Sequence, residues 1–239
     1  MRHPAVFLML MAPALAHAQE DYVLLGAGLR SRPAYDGADA QRADVIPVVR
    51  YYGRALFART TQGILEGGAR LRLAPGWDAG VQLAYEAGRQ KSESSRLRAL
   101  DVPDLEWTAS AGLHLETDRK LGPMPLNLLA RSRHSLDTDR GHQLDLRATG
   151  GVYAGGGLQA GVFAQATWAT RKYVETFYTG GAGGPLFASF GALASYDVRR
   201  HWLALGSVEL RRLHGDAARS PITEKRDNYY ANASLAYRF

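Results

Sequence analysis

Glu106, Ser110, His114 and Glu116 bring two carboxylates, a hydroxyl and an imidazole to one parity of the stretch "LEWTASAGLHLE". Those are the side chains of a hydrolase site, in which a serine is activated by a histidine within hydrogen-bond reach and an acid orients that histidine. On an extended strand, however, Ser110 and His114 stand two pleats apart, about 13 Å, too far for direct contact. His134 and Ser135 are adjacent, and adjacent residues of a strand face opposite sides. The seven histidines show no paired metal-ligand spacing. Nor does a glycine-rich phosphate loop follow a strand and open a helix, so "GGAGG" reads as loop or strand entry. No catalytic, cofactor or metal site is assigned, and a hydrolase would need a tighter constellation than this.

The elements that carry these residues alternate. From Trp77, "WDAGVQLAYEAG" puts Trp77, Ala79, Val81, Leu83, Tyr85 and Ala87 on one face and Asp78, Gly80, Gln82 and Glu86 on the other. The same period of two recurs in "LDLRATGGVYA", "LQAGVFAQATWA" and the final "NYYANASLAYRF". Strands are expected at 22–32, 44–52, 54–61, 64–73, 77–88, 104–117, 124–134, 142–154, 157–170, 185–197, 201–212 and 228–239. Runs of ten or more residues, apolar on one face and polar or small on the other, predict an all-β fold, a transmembrane antiparallel barrel of about twelve strands. A soluble β-sandwich or lipocalin-like barrel would be built from strands of about five or six residues. Mean hydropathy is slightly negative, −0.24, which is compatible with a barrel because lipid-facing and lumen-facing residues average out.

The connections add an independent check. Counted from the N-terminus, the odd ones, 33–43, 62–63, 89–103, 135–141, 171–184 and 213–227, are longer than the even ones, 53, 74–76, 118–123, 155–156 and 198–200, with the tight hairpin at Gln62-Gly63 as the exception. Long loops on one side and short turns on the other match outer-membrane barrels, and an even strand count puts both termini on the short-turn, periplasmic side. The first eighteen residues, with Arg2, an apolar run from Ala5 to Leu15 and Ala16-His17-Ala18, read as a signal peptide cleaved between Ala18 and Gln19, leaving 19–239 as one barrel domain. There is no cysteine, so disulfides do not staple the exported chain. Cell outer-membrane localisation is the expectation.

Inward charges form a candidate lumen cluster: Glu66, Arg70, Arg72, Glu106, Arg131, Arg133, Asp145, Arg147, Glu209 and Arg211. Mixed signs on facing strands suit cross-strand ion pairs, which either plug the barrel or line a narrow channel. The net charge of +6 comes from dispersed arginines without a helix, finger or aromatic platform, so nucleic acid is not an expected partner. Basic loops "RSRPAYDGADAQR" and "RQKSESSRLRAL" could meet lipopolysaccharide phosphates or simply be solvated.

At the C-terminus "SLAYRF" ends on Phe239, with Tyr237 two places before it. This resembles the signal by which the barrel-assembly machinery recognises outer-membrane proteins. Over nearly the whole chain, "GAGLRSRPAYDGADAQRADVIPVVRYYGRALFA", the Tyr-rich "YVETFYTG" and "RRLHGDAARSPITEK" are similar to elements of the MipA/OmpV family (MltA-interacting protein). The third carries Leu213, Gly215, Asp216, Ala217, Ser220, Pro221 and Ile222 of that family's pattern; at 177–180 this chain has Phe-Tyr-Thr-Gly where Tyr-Tyr-Gly-Val is commoner. The resemblance implies a non-enzymatic scaffold joining a murein-cleaving lytic transglycosylase and a murein-synthesising penicillin-binding protein. The alternatives are a small-solute porin or a surface adhesin-like barrel.

Overall fold

The computed structural model describes residues 22–61, 63–137 and 139–239; the expected signal peptide and Gln62 of the expected hairpin lie outside them. Among the described residues there are twelve strands: β1 Tyr22–Pro33, β2 Gln41–Tyr52, β3 Leu56–Thr61, β4 Ile64–Ala74, β5 Trp77–Glu86, β6 Thr108–Leu121, β7 Met124–Ser135, β8 His142–Gly155, β9 Leu158–Ala169, β10 Gly184–Arg199, β11 Trp202–Leu213 and β12 Asp227–Arg238. Each pairs antiparallel with its neighbours in sequence, and β12 closes on β1 from Leu24–Arg238 to Ser31–Ala231. Closure of β12 on β1 removes the two outer edges that an open sheet would leave unpaired.

The two-residue period sets the wall. Leu29, Val45, Leu83, Leu113, Phe190 and Val208 point outward and are exposed, whereas Glu66, Asp145, Arg131 and Ser110 point inward and are buried. An apolar exterior around a polar interior inverts the soluble arrangement and matches a lipid-facing wall. Trp77, Tyr153, Tyr196, Trp202 and Tyr237 sit at the ends of strands, beside the short turns 53–55, 75–76, 122–123, 156–157 and 200–201. Gly76, in one of those two-residue turns, has φ +73°, which a side chain would strain.

Several strand bounds differ from expectation: β2 begins at Gln41 rather than 44, and β5 ends at Glu86 rather than 88. β3 is shorter, starting at Leu56 rather than 54. β6 begins at Thr108 rather than 104 and runs on to Leu121. Residues 104–107 leave the wall because the backbone of Leu105 pairs with Arg89, and the Arg140 guanidinium donates to the Glu106 carbonyl at 2.5 Å. Glu106 is therefore exposed in a loop and does not join the lumen charges.

The opposite end of the barrel carries loops 34–40, 87–107, 136–141, 170–183 and 214–226, which fold over it. Helix α1 (Ser95–Ala99) is capped by Ser94, whose hydroxyl accepts from the Arg96 amide at 3.1 Å. Helix α2 is Arg171–Tyr178. Leu97, Val102, Ala34, Tyr35, Ala38 and Ile222 form one buried apolar cluster between loops. Val174 and Tyr178 of α2 join Leu186, Phe187, Leu213 and Ala217 in another.

Candidate functional site

The inward parity of β3 to β9 builds an ion-pair ladder. On β4, Glu66 is 1% exposed and receives Arg59 Nε at 2.5 Å and Arg131 Nη1 at 2.7 Å. β4 and β7 are not sheet neighbours, so the Glu66–Arg131 contact crosses the lumen. Arg131, 3% exposed, also donates through Nε to Asp145 at 3.0 Å. Asp145 takes Arg133 Nε at 3.2 Å and the Thr167 hydroxyl at 2.8 Å. A second crossing joins Arg59 to Glu116 on β6 at 3.3 Å, and the Asn127 amide donates to Glu116 at 2.8 Å. Arg133 also lies 3.5 Å from Glu86. Within this ladder each charge meets an opposite charge, as burial demands.

A second group ties a loop into the barrel. Arg211 donates to Asp36 of loop 34–40 at 2.7 Å and to Glu209 at 3.1 Å, and its guanidinium lies over the rings of Phe187 and Tyr230 at 4.2 and 4.4 Å. The Tyr230 hydroxyl donates to the other oxygen of Asp36. Nearby, Arg32 and Arg30 hold Asp44 at 2.5 and 3.2 Å.

Of the remaining charges expected in the lumen, Arg70 donates to the Gly53 carbonyl at 3.0 Å and Arg72 lies 3.5 Å from Asp78, near the turn end. Arg147 stacks on Phe163 at 3.9 Å and donates to Thr149 at 3.3 Å. The ladder also recruits Arg59, Asn127 and Thr167, which sequence reasoning did not single out although they lie on the inward parity of their strands. Asp36 sits in a loop, where no parity exists to find it. Ser110 and His114 make no hydrogen bond to each other, and His114 meets the ring of Phe57 edge-on at 5.2 Å. Among the described residues no three acidic or histidine side chains are grouped to hold a metal ion.

The loop cap is locked by polar contacts to the "RSPI" segment. Tyr35 donates to the Ile222 carbonyl at 2.8 Å, Ser220 to the Tyr178 carbonyl at 2.6 Å, and Arg96 twice to the Pro221 carbonyl at 2.9 and 2.7 Å. Asp216 accepts from the Ala182 amide at 2.5 Å and pairs with Arg219; the amide and then the guanidinium hold its carboxyl below the ordinary aspartate range. Burial drives the Tyr178 phenol well up, so it stays neutral. At the other end, the last strand closes with the Phe239 amide donating to the Val23 carbonyl at 3.2 Å, and the Tyr237 ring lies between Trp202 at 5.3 Å and Phe239 at 5.0 Å.

A closed antiparallel barrel with an apolar outer wall and a charged lumen is an outer-membrane β-barrel. The chain belongs to the MltA-interacting protein MipA family, whose model matches residues 25–239. Solved structures similar in fold include the NanC porin (9% identity, 91% of this chain and 100% of that one, TM-score 0.52) and an outer membrane channel from Pseudomonas putida F1 (12% identity, 100% of each chain, TM-score 0.51). No curated protein matches the sequence.

Proposed function

We propose that this chain is a non-enzymatic outer-membrane scaffold with a closed axis, which docks murein-processing enzymes at its short-turn end. The observation that carries the reading is the ion-pair ladder: Glu66–Arg131 and Arg59–Glu116 cross the lumen beneath a cap of packed loops. A barrel so filled supports docking better than free passage of solutes. In this reading both termini and the short turns are periplasmic, and the exported chain begins at Gln19. The turns and the strand ends beside them expose Arg54, Arg119, Lys120, Arg199 and Arg200, a basic rim suited to an acidic partner surface. The family description names MltA as a partner, and a lytic transglycosylase together with a penicillin-binding protein are the enzymes proposed to dock here. Because a stable interface needs about 800 Å² on each side, the partner must cover much of the rim rather than one turn.

The test combines planar-bilayer conductance of the refolded barrel with a binding titration against purified MltA. Electrical silence with binding weakened by Arg199→Glu/Arg200→Glu is expected. Steady conductance altered by Arg131→Ala or Arg147→Ala would replace this reading with a small-solute channel.

A further inference from the structure

One seam of the wall is incomplete. β1 and β2 pair over their full length, from Tyr22–Tyr52 to Pro33–Gln41. β2 and β3 pair only at Arg50–Arg59, Tyr51–Ala58 and Tyr52–Phe57. β3 ends at Thr61 and returns as β4 from Ile64, so this hairpin stops far below the loop end while β2 continues to Gln41. From Gln41 to Val49, roughly 30 Å of strand, the far edge of β2 has no strand partner among the described residues. Arg42 pairs with Glu93 of loop 87–107 above the opening. The result is a window in the wall, with β2 on one side, the β3–β4 hairpin as its sill and loop 87–107 as its lintel.

An open sheet edge facing hydrocarbon is costly because nothing there satisfies its donors. The chemistry of this edge reduces that cost. The Val49 amide donates to the Thr60 hydroxyl at 3.3 Å, so Val49 and the residues of its parity direct their backbone groups toward the gap. Two residues on stands Pro47, which has no N–H to leave unpaired, and then Val45, 76% exposed. A proline at the middle of a free edge also resists addition of another strand. The window thus presents an apolar rim with few donors.

Behind the sill lies a cavity of about 180 Å³ that reaches from Val49, Thr61 and Gly63 to Phe163 and Leu193 on the opposite wall. Arg50 and Arg147 line it, and no carboxylate does. Arg147 Nη1 is buried without a hydrogen-bond partner.

We propose that the window admits the acyl chain of an anionic amphiphile from the bilayer into the barrel, with its headgroup at Arg147. An apolar rim suits the chain, and a cavity with cations but no lining acid suits a phosphate or carboxylate. Lateral entry is independent of axial conductance, so the docking reading and this one fail separately.

The test uses the unaltered barrel in nanodiscs containing phosphatidylglycerol with a diazirine on its acyl chain. After irradiation, adducts are mapped by mass spectrometry. Inward residues Ile46, Val48 and Leu193 are expected to be labelled as well as outward Val45; adducts confined to outward residues would overturn the proposal. Val48→Trp, which fills the opening, should cut inward labelling about tenfold and leave outward labelling intact, with heat-modifiable gel migration confirming a folded barrel. A phosphatidylcholine probe should label the interior less than the anionic probe, and Arg147→Gln should erase that difference. Equal interior labelling by both headgroups would remove the anionic assignment. A dimeric mass for the barrel by native mass spectrometry, with no lipid adducts along β2, would show a second copy on the edge, which would equally overturn it.

Discussion

Glu66→Gln is the sharpest perturbation of the ladder, since it removes one charge while nearly preserving shape. Glu66 is buried and bridges Arg59 at 2.5 Å and Arg131 at 2.7 Å. Breaking a buried ion pair by neutralising one partner costs about 3–5 kcal/mol, because the other charge is left uncompensated. Here each arginine keeps a second acid, Glu116 at 3.3 Å for Arg59 and Asp145 at 3.0 Å for Arg131. The expected loss therefore falls at the lower end, about 3 kcal/mol. With a urea slope of about 2–3 kcal/mol/M, the unfolding midpoint of the detergent-folded barrel should drop by about 1 M or slightly more. Arg131→Met alone should cost a similar amount, and the double variant should cost less than the sum of the two, because it removes both charges of the crossing contact. A Glu66→Gln loss under about 1 kcal/mol, the range of an exposed pair, or strict additivity in the double variant would refute the ladder as a coupled buried network.

Other outcomes test the cap and the ends. Ser220→Ala removes the bond to the Tyr178 carbonyl, which keeps the Thr179 hydroxyl at 2.7 Å, and leaves the buried Ile222 amide without the Ser220 oxygen, so about 1–3 kcal/mol should be lost locally; limited proteolysis at the loops should quicken while strand protection holds. Asp216 has a lowered pKa in the folded state, so its contribution is present above the unfolded value of about 3.9 and is lost as pH falls through the folded pKa. The protection factor of the Ala182 amide, its exchange rate referred to the intrinsic rate at each pH, should therefore fall on acidification below that value, and an unchanged protection factor would remove Asp216 as the tie between loops 170–183 and 214–226. Phe239→Ala should change refolded stability by less than about 1 kcal/mol, because the side chain is 70% exposed, yet lower the amount of assembled barrel in cells. Equal cellular yields would deny Phe239 a part in assembly.

Much of the wall is legible residue by residue. Alternation in "WDAGVQLAYEAG" is a local property: successive side chains of a strand face opposite sides whatever lies beyond. It therefore identifies lipid-facing Val81 and Leu83 and lumen-facing Gln82 without knowledge of the partner strand. The error at Glu106 arose where the alternating pattern ran past the end of the wall; parity continued, but the backbone of Leu105 had already turned to Arg89.

The sequence by itself determined the barrel, its strand order and the faces of its strands, because a period of two and the lengths of connections are written locally along the chain. Tertiary structure alone decided that Glu66 meets Arg131 and that loop residue Asp36 meets Arg211 and Tyr230. It also decided that the short β3 leaves β2 unpaired beside Pro47. Those contacts depend on the registers accumulated around a closed sheet, and a shift of two residues at any one seam would keep every side chain on its face while changing which charge stands across the lumen from which.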